Sequence, residues 1–113
     1  MAYDEELAER FRKAVRGLGE MSEKRMMGGV CFLLNGNMIG GADRNKEGLK
    51  RFMFRVGKEN HAEALKRPGA MPMDMGGRRM SGFVFVDAER CDDGMLSDWI
   101  ALAHAFVAEL PAK

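Results

Sequence analysis

The sequence predicts a two-layer α+β fold, in which an antiparallel sheet carries helices on one face. The first observation is a helical apolar stripe near each end of the chain. The second is a set of short segments between these stripes that alternate in polarity or are continuously apolar, as strands are. The third is that tight turns join consecutive strands, which makes their pairing antiparallel. The expected order is a helix, three strands, a short helix, one or two strands and a long helix.

The first element is predicted to be a helix because its apolar side chains recur every three or four residues. These side chains are Leu7, Phe11, Val15 and Leu18. Asp4 precedes them and can cap the first turn, where a carboxylate also suits the positive end of the helix dipole. Gly17 and Gly19 are expected to end the helix.

A hairpin is predicted next, because Asn35-Gly36 is the strongest short signal for a two-residue turn between strands. The strand before it is expected over Met26–Leu34 and the returning strand over Asn37–Ala42. The polar segment Arg44–Lys50 is predicted to be a loop. Arg51–Val56 alternates between apolar and polar side chains, so it is predicted to be a third strand with one face buried.

The second half of the chain is predicted to begin with a short helix over His61–Lys66, ended by Arg67-Pro68-Gly69. Met71–Met75 is expected to be extended, and Pro72 confines it to an edge or irregular strand because proline donates no ladder hydrogen bond. Gly76-Gly77 is predicted to turn the chain.

The last two elements are predicted to be a strand over Gly82–Asp87 and a long helix capped by Asp92 or Asp93. The inward stripe of this helix is Leu96, Trp99, Ile100, Ala103, Phe106, Val107 and Leu110. Five aromatic side chains are expected to be buried between sheet and helices: Phe32, Phe54, Phe85, Trp99 and Phe106.

The composition predicts one ordinary globular domain spanning residues 1–113. The chain has 46% hydrophobic and 31% charged residues, and a formal net charge of +1. No apolar run approaches the roughly 20 residues of a membrane helix. The acidic start does not resemble a secretory signal, and two cysteines make no disulfide framework. We therefore expect a cytoplasmic protein without membrane contact, and the near-zero charge disfavours a globally basic nucleic-acid binder.

Six stretches of the chain are notable when taken together and in order. They are EKRMMGGVCF (23–32), NGNM (35–38), RVG (55–57), RPGAMPMD (67–74), MSGFVFVD (80–87) and LSDW (96–99). In this order they resemble the TfoX N-terminal domain family, also called the TfoX/Sxy family. The resemblance covers nearly the whole chain.

The resemblance implies a secretion-chaperone-like α+β fold in the order α-β-β-β-α-β-β-α, with a weak fourth strand from Met71–Met75. It also implies kinship with regulators of natural competence, which act with the cyclic-AMP receptor protein at promoters. The family is not known for an enzymatic activity of this domain. Because the competence regulators carry a further C-terminal domain, this chain is expected to be a stand-alone member that regulates by binding proteins.

Sites for metals, cofactors or catalysis are not predicted. The double glycines Gly28-Gly29 and Gly40-Gly41 do not lead from a strand into a helix, as a phosphate cradle would, and instead indicate bulges or close backbone approach. The candidate metal ligands are too scattered for a local site: Cys31, Cys91, His61 and His104. Asp92-Asp93 is better explained as a helix cap than as an acid and base pair. A small enzyme of unknown reaction remains an alternative.

A basic segment supplies a second alternative, anion or nucleic-acid binding. Residues 44–79 hold ten Lys or Arg against four acids, a net charge of +6, whereas residues 87–113 hold two against six, a net charge of −4. The candidate patch is Arg44, Lys46, Lys50, Arg51, Arg55, Arg78 and Arg79. Nucleic-acid contact is not favoured, because no aromatic platform is interleaved on a visible recognition helix.

Methionine supplies the candidate surface for a protein partner. If the sheet has one face bare of helices, adaptable side chains there would offer an apolar surface beside basic residues. The candidates are Met53, Met71, Met73 and Met75. A weak homodimer would bury such a surface. The competing interpretation is that these methionines fill the core and the sheet edge.

Overall fold

The computed structural model describes residues 4–26, 29–75 and 77–113 of the chain. These residues form three helices: α1 (Glu5–Ala14), α2 (His61–Ala64) and α3 (Asp93–Val107). The same residues form six strands: β1 (Met21–Met26), β2 (Gly29–Leu34), β3 (Asn37–Arg44), β4 (Lys50–Arg55), β5 (Ala70–Met75) and β6 (Arg78–Asp87). Short 3₁₀ turns precede α2 (Lys58–Asn60) and α3 (Ala88–Arg90).

The strands form one open antiparallel sheet in the order β1-β2-β3-β4-β6-β5. This confirms the predicted α+β class and the order of elements, with one strand added. The segment predicted as a single strand over Met26–Leu34 is divided, because β1 ends at Met26 and β2 begins at Gly29. The strand β1 was not predicted, because its residues are mostly polar and show no apolar alternation. It lies at the edge of the sheet, where it pairs with β2.

The first helix is capped as predicted but ends earlier. The Asp4 carboxylate accepts a hydrogen bond from the Leu7 N–H at 3.0 Å. The helix ends at Ala14, although apolar Leu18 extends the periodic pattern by another turn. Leu18 instead packs, partly buried, against the core from the turn that follows.

The core lies between α1, α3 and one face of the sheet. The Phe11 ring of α1 stacks on Phe32 and Phe54, with centroids 4.6 and 5.7 Å apart, and Trp99 of α3 stacks on Phe54 at 5.2 Å. Gly40 lies beneath this cluster, and a Cβ there would lie 2.8 Å from the Phe11 ring. The double glycine Gly40-Gly41 therefore allows close approach to the β3 backbone, as predicted.

The β2–β3 hairpin forms at the predicted dipeptide. Asn35 and Gly36 have φ of 52° and 85°, and Leu34 pairs with Asn37 directly behind them. The backbone N–H of Lys113 donates to the Asn35 carbonyl at 2.9 Å. The end of the chain is thus attached to this turn.

The edge strand and the neighbouring elements depart modestly from prediction. β5 is an edge strand that contains Pro72, as expected, and its register with β6 shifts between Pro72 and Asp74. The strand predicted over Gly82–Asp87 begins four residues earlier, because the backbone stays paired through a bend at Gly82. The short helix covers only His61–Ala64. Within the described residues, no helix is long and apolar enough to cross a membrane.

Candidate functional site

Among the residues that the structure describes, no helix covers the face of the sheet opposite α1 and α3, which is called the open face here. Strand β4 defines it by alternation: Phe52 and Phe54 are buried towards the helices, so Arg51, Met53 and Arg55 lie on the other side. Residues of neighbouring strands that pair directly with Arg51, Met53 or Arg55 lie on this same face.

A row of small and apolar residues crosses the middle of the open face. Register places Cys31, Gly41, Met53, Phe85 and Met71 side by side on five adjacent strands. The four residues with side chains, all except Gly41, are half-buried by their neighbours within the sheet. This middle row therefore presents continuous apolar surface without a covering layer.

A second apolar row lies at one end of the open face. Leu33 pairs with Met38 across a bulge, and Phe83 pairs with Arg55. The Arg55 guanidinium lies 5.7 Å from the Phe83 ring centre, and its Nη1 donates to the Met38 carbonyl at 3.5 Å. Among the residues that the structure describes, Arg55 makes no ion pair.

The other end of the open face carries a charged row. Arg51 pairs in register with Asp43 on one side and Asp87 on the other. Its guanidinium binds both carboxylate oxygens of Asp43, at 3.0 and 2.8 Å, and lies 3.7 Å above the Phe85 ring. This bidentate pair fixes Arg51 over the ring, so one side of the Phe85 ring is already covered.

The predicted basic patch is divided between the two faces of the sheet. Arg51 and Arg55 lie on the open face, whereas Arg44 and Lys50 lie on the helix side, 2.7 and 3.8 Å from the Asp4 carboxylate. Lys46 is exposed in the loop between β3 and β4. The side chains of the last two members lie outside the described part of the structure: Arg78 and Arg79.

The Asp4 carboxylate lies beside both helix-side cations, Arg44 and Lys50, and offsets one of their two positive charges. Burial raises the pKa of this carboxyl, but hydrogen bonds from the Leu7 N–H and from Arg44 outweigh burial and hold the pKa below its ordinary value. Asp4 is therefore ionised at neutral pH and compensates one of the two positive charges of Arg44 and Lys50. These two cations support α1 rather than a joint patch with Arg51 and Arg55.

The predicted methionine surface is only partly assembled. Met53 and Met71 lie in the middle row of the open face, on either side of Phe85. Met73 is 9% exposed and belongs to the buried residues. The side chain of Met75 lies outside the described residues. The apolar surface is completed by residues that were not assigned to it from the sequence: Cys31, Leu33, Met38, Phe83 and Phe85.

Phe85 is the clearest correction to the predicted core. It was expected between sheet and helices, but it lies half-buried on the open face, while Val84 and Val86 point into the core. Both faces of β6 are apolar, so alternation separates the two sets without indicating which one the helices cover. Phe106 is likewise only partly buried, at the rim of the core.

The candidate metal and catalytic residues do not converge. Among the described residues, no group of three or more His, Cys, Asp or Glu side chains is placed to hold a metal. Burial raises the pKa of both the Cys31 and the Cys91 thiol, so neither is an activated nucleophile. The His61 Nδ1 accepts a hydrogen bond from the Gly82 N–H at 3.0 Å, and Asp92 caps α3 through the Met95 N–H.

A cleft of about 700 Å³ lies where α1 and α3 begin. One of its charged residues, Arg10, donates to Asp93 at 3.1 Å and to the Cys91 carbonyl at 2.6 Å. These bonds attach the start of α3 to α1. We assign Arg10 a structural role at this cleft, since its bonds join the two helices.

Comparison with known proteins identifies a family. The family model of the TfoX N-terminal domain matches residues 13–107 of the 113-residue chain. No curated protein and no solved structure matches the chain. The matched range includes all six strands and α3, and it contains every stretch that carries the sequence resemblance. The chain therefore belongs to the TfoX N-terminal domain family.

Proposed function

We propose that this chain is a non-enzymatic regulatory domain that binds protein through the open face of its sheet. The observation that carries the proposal is the middle row, an apolar strip around Met53 and Phe85 that none of the described helices covers. Exposed contiguous apolar surface on a small domain usually marks a site of protein contact. Adaptable methionine side chains suit such contact, since they can repack around a partner.

The charge of the open face favours protein over a polyanion. Its described charged side chains are Lys24, Asp43, Arg51, Arg55 and Asp87, a net charge of +1. Arg51 is neutralised by Asp43 and covers the Phe85 ring, so that ring is not a free platform for a base. Single-strand binders combine positive grooves with accessible aromatic rings, and the open face offers neither in full.

Membership of the family supports a regulatory role. We propose that the domain acts in the cytoplasm, in the control of competence or transcription, through contact with another protein.

The test is capture of partners by three forms of the protein from native cytosol. Met53→Glu places a charge in the middle row, and Arg16→Glu is the control, a larger charge change at an exposed position beyond α1. The same identified partners should be retained by wild type and Arg16→Glu and lost by Met53→Glu. Equal capture by all three forms would remove the open face as the docking surface.

Anion or nucleic-acid binding is the second candidate, supported by Arg55, which makes no ion pair among the described residues and lies beside Phe83. A 20-nucleotide single strand, titrated at several salt concentrations, distinguishes it from protein docking. Nucleic-acid binding falls steeply with salt because counterions are released, whereas apolar protein contact does not. Affinity that falls steeply with salt and requires Arg55 would favour this candidate.

A further inference from the structure

We propose that the open face binds an amphipathic helix of another protein, and that Arg55 holds a carboxylate at one end of this helix. This inference rests on the proposed function, since it names the chemistry of the partner for the same face. Arg55 lies two residues beyond Met53 on β4, so it borders the apolar middle row at one end of the open face.

The surroundings of Arg55 hold its guanidinium in place without neutralising it. The guanidinium lies 5.7 Å from the ring centres of both Phe83 and Phe106. A guanidinium has five N–H donors, and within the described part of the chain that of Arg55 gives one hydrogen bond, to the Met38 carbonyl at 3.5 Å. The two rings limit the side-chain freedom that would be lost on binding. A planar guanidinium with available donors suits a carboxylate, which it can bind through both oxygens.

The opposite end of the open face carries the opposite charge. It holds Asp43, Arg51 and Asp87, two carboxylates and one guanidinium with a net charge of −1. Arg51 is already bound through two hydrogen bonds to Asp43. Asp87 forms no ion pair with any described residue, and its Oδ1 receives one hydrogen bond, from the Glu89 N–H at 3.1 Å. The charges therefore favour a partner with one acidic end, an apolar centre and one basic end over a uniformly acidic partner.

The edges and the backbone of the sheet favour a helix over an extended peptide as the occupant. An extended peptide binds a sheet mainly by pairing its main chain with an edge strand. β1 carries exposed Lys24 and Arg25 and β5 carries exposed Pro72, and charged residues and proline block such pairing. On the face of a sheet an extended peptide meets side chains, so its own N–H and C=O groups stay unpaired. A helix pairs these groups internally and can bury one apolar side.

The spacing along β4 gives the pattern expected in the partner helix. Arg51 and Arg55 are four residues apart on this strand, which corresponds to about 13 Å. A helix rises over this distance in about nine residues, and the middle row lies halfway. We therefore expect a carboxylate at one end, apolar side chains about one turn further on, and a cation after about nine residues. The Met53 side chain can adapt to the apolar group placed over it.

The experiment measures fluorescence polarisation of two labelled synthetic peptides, each stapled as a helix of about four turns. The first peptide carries glutamates at one end, leucines along one side of its centre and lysines at the other end. The second is identical except that lysines replace the glutamates. Wild type should bind the first peptide about tenfold more tightly or better, because Arg55 attracts its carboxylates and repels the lysines that replace them. Arg55→Glu should reverse this preference.

Two further variants serve as controls. Arg16→Glu makes the same charge change at an exposed position beyond α1, so it should keep the wild-type preference. Met53→Glu should weaken binding of the first peptide, because it places a charge against the leucines. Unfolding would weaken binding of both peptides, so it cannot produce a reversed preference, and circular dichroism checks the fold of each variant.

The possible outcomes separate this inference from the proposed function. A preference that Arg55→Glu reverses supports the inference. Equal binding of both peptides by wild type, no binding up to about 1 mM, or a preference that Arg55→Glu leaves unchanged overturns it. In each of these cases, capture of identified partners that depends on Met53 would leave the docking function intact.

Other occupants of the open face would give other results. A single strand that binds through Arg55 with steep salt dependence, while neither peptide binds, would assign the face to nucleic acid and overturn the inference. Sedimentation equilibrium tests for a second copy of the chain. A wild-type mass of twice 12.6 kDa that Met53→Glu returns to 12.6 kDa, again without peptide binding, would assign the face to self-association and likewise overturn the inference.

Discussion

At the scale of single residues, the cap of α1 shows how a local signal acquires long-range partners. Asp4 caps the first turn through the Leu7 N–H, and Arg44 reaches it from β3, 40 residues later, at 2.7 Å. Capping follows from sequence position alone. The ion pair does not, because it requires the sheet to bring the end of β3 beside the start of α1.

Replacement of Asp4 by Asn isolates the charge of this cap, since Asn is also a good capping residue. The pKa of Asp4 is lower in the folded state, so ionisation stabilises the fold above the ordinary carboxyl pKa. This contribution is lost as pH falls through the lowered folded value. Asp4→Asn should lower the free energy of unfolding by about 1 kcal/mol at pH 7 and by much less near pH 3. Urea unfolding at both pH values measures this, with exposed Asp98→Asn as the control; a pH-independent difference would contradict it.

At the scale of elements, the β2–β3 hairpin is the best test of turn geometry. Gly36 and Gly48 share a φ of 85°, which a β-branched residue strongly resists. They differ in surroundings: a Cβ at Gly36 would lie 2.8 Å from the Lys113 carbonyl oxygen, whereas nothing lies within 4 Å at Gly48. Comparing the same substitution at the two positions therefore distinguishes the cost of backbone strain from the cost of steric contact.

Gly48→Val should lower the free energy of unfolding by about 2 kcal/mol through backbone strain alone. Gly36→Val should cost about 1 kcal/mol more, because the Lys113 backbone must move and its hydrogen bond to Asn35 is lost. Thermal and urea unfolding of the two variants, compared with wild type, measure the difference. An equal effect at both positions would show that the end of the chain adds nothing to this turn.

At the scale of the whole molecule, aromatic residues on the two faces of the sheet are expected to contribute differently to the free energy of unfolding. Trp99 is 2% exposed and stacked on Phe54 in the core, whereas Phe83 is half-buried on the open face. Trp99→Ala should lower the free energy of unfolding by about 3–5 kcal/mol. Phe83→Ala should cost less than half as much at low protein concentration. Strong iodide quenching of Trp99 fluorescence in the folded protein would contradict the core position.

Local sequence patterns were sufficient to predict most of the local structure of this protein and its family. Apolar periodicity indicated α1 and α3, Asn35-Gly36 located the hairpin, and Pro72 restricted β5 to an edge. These predictions succeed because each depends on neighbouring residues and on the conformations that their own side chains allow. The ordered stretches that resemble the TfoX N-terminal domain family were also visible without coordinates, since they lie in the matched range.

Which apolar surface stays uncovered depends on long-range packing and could not be predicted from local patterns. Alternation in β6 separates Phe85 from Val84, but both sets are apolar, so only the packing of α1 and α3 reveals which one remains uncovered. Similarly, the basic segment is continuous along the chain, yet pairing with Asp4 and Asp43 divides its cations between two faces. Such contacts join residues far apart in sequence, and their partners are therefore set by the fold rather than by local pattern.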